Sequence, residues 1–167
     1  MDLAADKVSD RAEKAVENFS KGFNCSQAVL GVFANELGLD GKTASKVSSG
    51  FGGGIARGGD ICGAVTGAVM AIGLKIFSPE ADLQQSKAQV YKMVKEFKKR
   101  FKKRHGSIVC RKLLGCNIAT AKGAAKAVED DLHRKVCVGL VKDAVKIVEE
   151  ICVDKGISVK GGCKGRE

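Results

Sequence analysis

Seven cysteines are the residues best suited to chemistry in this chain: Cys25, Cys62, Cys110, Cys116, Cys137, Cys152 and Cys163. An odd number cannot all close into disulfides within one chain, and a reducing compartment disfavours such a framework. No Cys-x-x-Cys pair occurs. That excludes a thioredoxin-type dithiol, the usual zinc ribbon and a c-type haem attachment. Two readings remain: buried apolar thiols, or a site gathered from distant parts of the chain. Four gathered thiolates hold a two-iron or four-iron iron–sulfur cluster, or one tetrahedral zinc. Two of them suffice for thiol–disulfide exchange. His105 lies five residues before Cys110 and His133 four before Cys137. Each could complete a metal site or simply be a surface or cap histidine, and two histidines alone give no support to a hydrolase.

The elements that must position these side chains read as helices. Residues 6–21 carry Val8, Ala12, Ala15, Val16 and Phe19 at helical spacing and stop near Gly22. Asn24 with Gln27 three residues on is a capping-box pattern, and the helix it opens ends at Gly38. A short helix is expected over 42–48. The stretch 61–77 is apolar on every side and is expected to be the buried central helix; Gly63, Gly67 and Ala71 give it one flat face. Ser78-Pro79-Glu80 reads as a helix start, the helix running to Arg104 and stopped by His105-Gly106. A short helix is expected over 107–114, a weak helix or loop over 117–128, and a last long helix over 129–153. The expected fold is all-α: one domain of five to seven helices over residues 1–153, with a loose polar tail at 154–167. Few aromatics, with no Trp and 1 Tyr, argue against an all-β sandwich or barrel.

On this reading Cys25 follows the Asn24 cap, Cys62 follows Asp60, and Cys110 comes three residues after Ser107. Three cysteines thus fall in first turns, where unpaired N–H groups and the helix dipole favour the thiolate. Cys137 lies at the edge of the apolar stripe of the last helix. The runs NCSQAV (24–29), GFGGGIARGGDICGAVTGA (50–68), GSIVCRKLLGC (106–116) and CVGLVKDAV (137–145) resemble the C_GCAxxG_C_C family, described as redox-active from its cysteines. The resemblance covers roughly residues 10–152 and includes Cys62-Gly63-Ala64-Val65-Thr66-Gly67 as the C-G-A-x-x-G segment. It maps the family's four cysteines onto Cys25, Cys62, Cys110 and Cys137, and implies that these carry the redox chemistry. A similar module occurs in split-Soret cytochromes, but their haem-attachment part has no match here, so no haem is implied. Cys116, Cys152 and Cys163 fall outside the pattern.

The gaps between the four cysteines are 37, 48 and 27 residues. No close pair forms a chelate, so the fold must preorganise any metal site. Residues 50–59 hold six glycines in ten. This loop either cradles a phosphate on its N–H groups or lets the backbone approach the cysteine site, where N–H groups near sulfur tune a potential. Neither a P-loop nor a strand–GxGxxG–helix unit is present, which favours the second reading. Gly52, Gly53, Gly54, Gly58, Gly59 and Gly63 are the candidate residues beside the cofactor.

The net charge of +10 is local. Residues 87–112 hold eleven Lys/Arg and one acid, Glu96, and the rest of the chain holds 18 of each sign. The basic helix is either a solvated face or a binding face for nucleic acid, an anionic membrane surface or an acidic electron-transfer partner. No DNA-binding motif accompanies it, so nucleic acid ranks low. The longest uncharged apolar stretch, 61–74, has 14 residues and is too short to span a bilayer. With Asp2, Asp6 and Asp10 at the start, no secretory signal is visible, so the expected setting is the cytoplasm. The functional expectation is electron transfer by an iron–sulfur cluster or other metal on four cysteines, with a metal-free dithiol and a basic binding module as alternatives. A redox partner protein, and a homodimer joining sites across its interface, are the expected associations.

Overall fold

The computed structural model describes residues 3–158. They form an all-α fold of eight helices: α1 Leu3–Ser20, α2 Cys25–Ala34, α3 Gly41–Ser48, α4 Gly63–Ile76, α5 Leu83–His105, α6 Cys110–Leu114, α7 Ala121–Glu129 and α8 Val138–Asp154. No strand occurs among the described residues; one isolated antiparallel bridge joins Ile61 to Val109. Cys163 and most of the expected C-terminal tail lie outside the described residues, as does the side chain of Val8.

The capping box forms as read. Asn24 Oδ1 accepts from the N–H groups of Ser26 and Gln27 at 3.0 Å, and Gln27 Oε1 accepts from Asn24 N–H at 3.0 Å. Gly38, Gly106 and Gly115 stop their helices in left-handed geometry. The main core gathers Ala12 and Ala15 of α1, Val29 and Phe33 of α2, Val65 and Ile72 of α4, Phe97 and Phe101 of α5, and Val141 to Ile151 of α8. The flat face of α4 lies against α2. A Cβ on Gly67 would sit 2.7 Å from the Ser26 carbonyl oxygen and 3.0 Å from Val29 Cβ. The core also holds Glu149, fully buried on α8, which accepts from Arg11 at 2.8 Å.

Two expectations change, and one left open is decided. α5 begins at Leu83, with Asp82 Oδ1 accepting from Gln85 N–H at 2.8 Å, and Ser78-Pro79 forms a turn before it. The Ser78 N–H goes to the Ser86 hydroxyl at 2.9 Å, so this segment folds back on α5 instead of opening it. The expected helix over 129–153 is broken. Asp131 takes φ +51°, a π-helical turn spans His133–Cys137, and α8 starts only at Val138. The Ala- and Lys-rich stretch before it is a regular helix, α7, capped by Thr120. With α7 helical, the described residues hold eight helices, one above the expected five to seven.

Candidate redox site

A second, smaller apolar cluster sits beside the main core. It comprises Cys110 and Leu114 of α6, Ile118, Ala127 of α7 and Cys137 of the π-turn, with Phe19 and Cys25 packed against it. The candidate site lies where the two clusters meet. All four family-pattern cysteines, Cys25, Cys62, Cys110 and Cys137, line one cavity of about 720 Å³. They come from four elements: the first residue of α2, the N-cap of α4, the first residue of α6 and the last residue of the π-turn.

The backbone that holds them is irregular. Cys62 and Cys110 flank the isolated bridge: Cys62 N–H donates to the Ile108 carbonyl at 2.9 Å, and Cys110 N–H to the Asp60 carbonyl at 2.6 Å. The glycine-rich run before them is a left-handed turn. Gly53, Gly54, Ile55, Ala56 and Arg57 all have φ between +48° and +72°. Three of these five are not glycine, and each left-handed L-residue costs roughly 1–2 kcal/mol, so strain is stored beside the cavity. The turn approaches the cysteines closely: a Cβ on Gly54 would lie 2.7 Å from Cys110 Cβ, and one on Gly63 3.0 Å from Cys25 Cβ. Gly52, Gly53 and Gly63 line the cavity, and Gly54 backs Cys110. Gly58 and Gly59 turn elsewhere, Gly58 toward Asp60 and Gly59 toward Asn117 and Arg111.

The electrostatics differ from the helix-start expectation. Burial pushes Cys62 up to about 11, although the N–H groups of Ala64 and Val65 pull the other way. Burial likewise pushes Cys110 up to about 12. At these two positions desolvation outweighs the helix start. Cys25 and Cys137 face each other across the cavity and act on each other. This pairing raises Cys25 well above the usual thiol range, with burial adding to the shift, and lowers Cys137. Of the four, only Cys137, the residue before α8, is shifted toward the thiolate, and the cause is its neighbour Cys25.

Both histidines are placed. His133 lines the cavity. His105 stacks on Phe101 at 4.7 Å and sits 3.0 Å from Asp143, away from the cysteines. Cys116 is half-buried beside the smaller cluster, and Cys152 is buried in the main core. Arg57, Asp131, Arg134 and Phe23 also line the cavity and were not singled out from the sequence. Of these only Arg57, inside the glycine-rich run, had a sequence signal. Among the described residues no group of three His, Cys, Asp or Glu side chains is gathered tightly enough to hold a metal ion. As a donor set the four thiols still suit soft metals and iron–sulfur clusters.

The class the structure defines is an all-helical protein with four cysteines on one cavity wall. The comparison with known families agrees: residues 23–151 match the family described as "Putative redox-active protein (C_GCAxxG_C_C)", and the chain belongs to it. No curated protein and no solved structure matches the chain.

Proposed function

We propose that this chain is an electron-transfer protein whose Cys25, Cys62, Cys110 and Cys137 hold an iron–sulfur cluster. The observation that carries the reading is the arrival of all four, from four separate elements, on the wall of one cavity. A dithiol needs only two of them and leaves Cys62 and Cys110 without a task. Such a cluster, when bound, takes up and releases single electrons at a potential set by its surroundings. The chain's part is to supply the thiolates, to exclude water with Phe19, Leu114 and Ile118, and to bring backbone and the Arg57 charge near sulfur. Arg57 and Arg134 at the cavity favour an acidic redox partner. The free state of the six described cysteines suits a reducing, cytoplasmic setting.

The pairing of Cys25 with Cys137 on the cavity wall favours a second reading. Oxidation would join these two sulfurs, release two protons and pass two electrons to a disulfide or electron-carrier acceptor.

Protein purified without oxygen separates the two. Visible absorption with iron and acid-labile sulfide, lost in Cys62→Ser and kept in Cys152→Ser, is the expected result. Colourless, metal-free protein that reversibly forms a Cys25–Cys137 disulfide selects the dithiol. Neither colour nor a reversible disulfide would sink both.

A further inference from the structure

The two sides of α5 treat their charges differently. Toward α8, Arg100 pairs with Asp154 at 2.7 Å, Arg104 with Glu150 at 2.7 Å, and His105 with Asp143 at 3.0 Å. On the outer side Lys87, Tyr91, Lys95, Lys98 and Lys102 recur at three- and four-residue spacing, forming one stripe. None of these lysines has a carboxylate partner among the described residues. The nearby acids are otherwise engaged: Asp82 caps α5, and Glu80 accepts from the Ser78 hydroxyl at 3.0 Å.

The same face exposes apolar side chains. Leu74 is 38% exposed, Phe77 40%, Leu83 55% and Tyr91 60%. Leu74, Phe77, Val90 and Tyr91, with Lys87 beside them, line a shallow groove of about 440 Å³. The patch sits at the C-terminal end of α4, whose first residue touches Cys25. A helix of this length puts about 20 Å between patch and cysteines.

We propose that this face docks the protein on an anionic membrane surface. Leu74, Phe77, Leu83 and Tyr91 enter the boundary between headgroups and acyl chains, and the lysine stripe meets the anionic headgroups. Each half of the surface argues for the same occupant. Nucleic acid would use the lysines but gain little from a contiguous apolar patch. A redox partner protein would need to reach the cysteines, which lie at the other end of α4. The proposal stands independently of how those cysteines work.

Tyr91 is the chain's only tyrosine and there is no Trp, so intrinsic fluorescence reads this patch alone. The full-length protein is mixed with phosphatidylcholine vesicles with and without phosphatidylglycerol. Binding to the anionic vesicles alone, falling with salt, is expected, with Tyr91 emission quenched by quencher-bearing acyl chains. Changing Lys87, Lys95, Lys98 and Lys102 to Gln together should weaken binding more than a hundredfold, at about fivefold per lysine. Leu74→Ser with Phe77→Ser should weaken it about tenfold or more with every lysine in place. Helical circular dichroism and free-thiol content should stay unchanged in both variants. No binding to anionic vesicles at low salt overturns the proposal. So does an apolar-face variant that binds like the parent, or duplex DNA binding that outcompetes the vesicles.

Discussion

The helical core and the collar around the cysteine cavity are built on opposite rules. In the core, α2 and α4 meet through small residues with no spare volume, and α8 buries one face completely. In the collar the backbone departs from regular geometry at a left-handed turn, a π-turn and an isolated bridge. The core's order comes from side-chain packing. The collar's shape is strained locally and held by what surrounds it. The four cysteines meet at the collar, where the isolated bridge and the π-turn bring Cys62, Cys110 and Cys137 to the start of α2 at Cys25.

The largest expected effect tests the core. Gly67→Leu should destabilise by roughly 3 kcal/mol, the upper end of overpacking, because the clash is with the Ser26 backbone rather than a mobile side chain. A melting temperature within a degree of the parent would show that α2 and α4 are not locked there. The next concerns Glu149, the one acidic side chain buried in that core among the described residues. Burial pushes Glu149 up to about 7, against the pull of Arg11. The folded chain keeps this proton where the unfolded chain, near 4.5, has lost it. Stability should therefore fall as pH rises from about 4.5 to about 7 and level off above, by about 2–3 kcal/mol. Denaturant melts across that range should show the slope, and Glu149→Gln should flatten it. A parent chain with no slope would mean that Arg11 fully offsets the burial of that carboxyl. The smallest effect has the opposite sign and belongs to the collar. Ala56 is exposed at φ +48°, so Ala56→Gly should stabilise by up to about 1 kcal/mol, strain relief outweighing the added unfolded-state freedom. Destabilisation instead would mean that the left-handed turn carries no strain at that residue.

Signals that were local in the chain were legible in its sequence. The Asn24–Gln27 box, the glycine stops at 38, 106 and 115, and the flat face of α4 each follow from side chains within a few positions. The four-cysteine pattern marked residues that do converge. What was hidden depended on partners far along the chain. Asp82 and Ser78 are both sound caps by type, and contact with Ser86 decides between them. Nothing in Asp130-Asp131 announces that the second takes positive φ and divides the last helix. The glycines at 50–59 predicted an unusual loop, but not that Ile55, Ala56 and Arg57 would share its left-handed geometry. Burial, a property of the finished fold, reversed the helix-start argument at Cys62 and Cys110.

The bridge between Ile61 and Val109 bears on the order in which this molecule comes together. It joins two short segments separated in the chain by all of α4 and α5. Closing so long a loop costs more entropy than two backbone hydrogen bonds return, so the bridge cannot form until those helices are already packed. Cys62 and Cys110, clipped together by it, are brought side by side only at that stage. The site is thus a product of folding rather than its nucleus. In a zinc finger the bare chain is unstructured and the metal supplies the folding energy. Here the helices pack first, so the four cysteines meet at one cavity on a chain that is already folded.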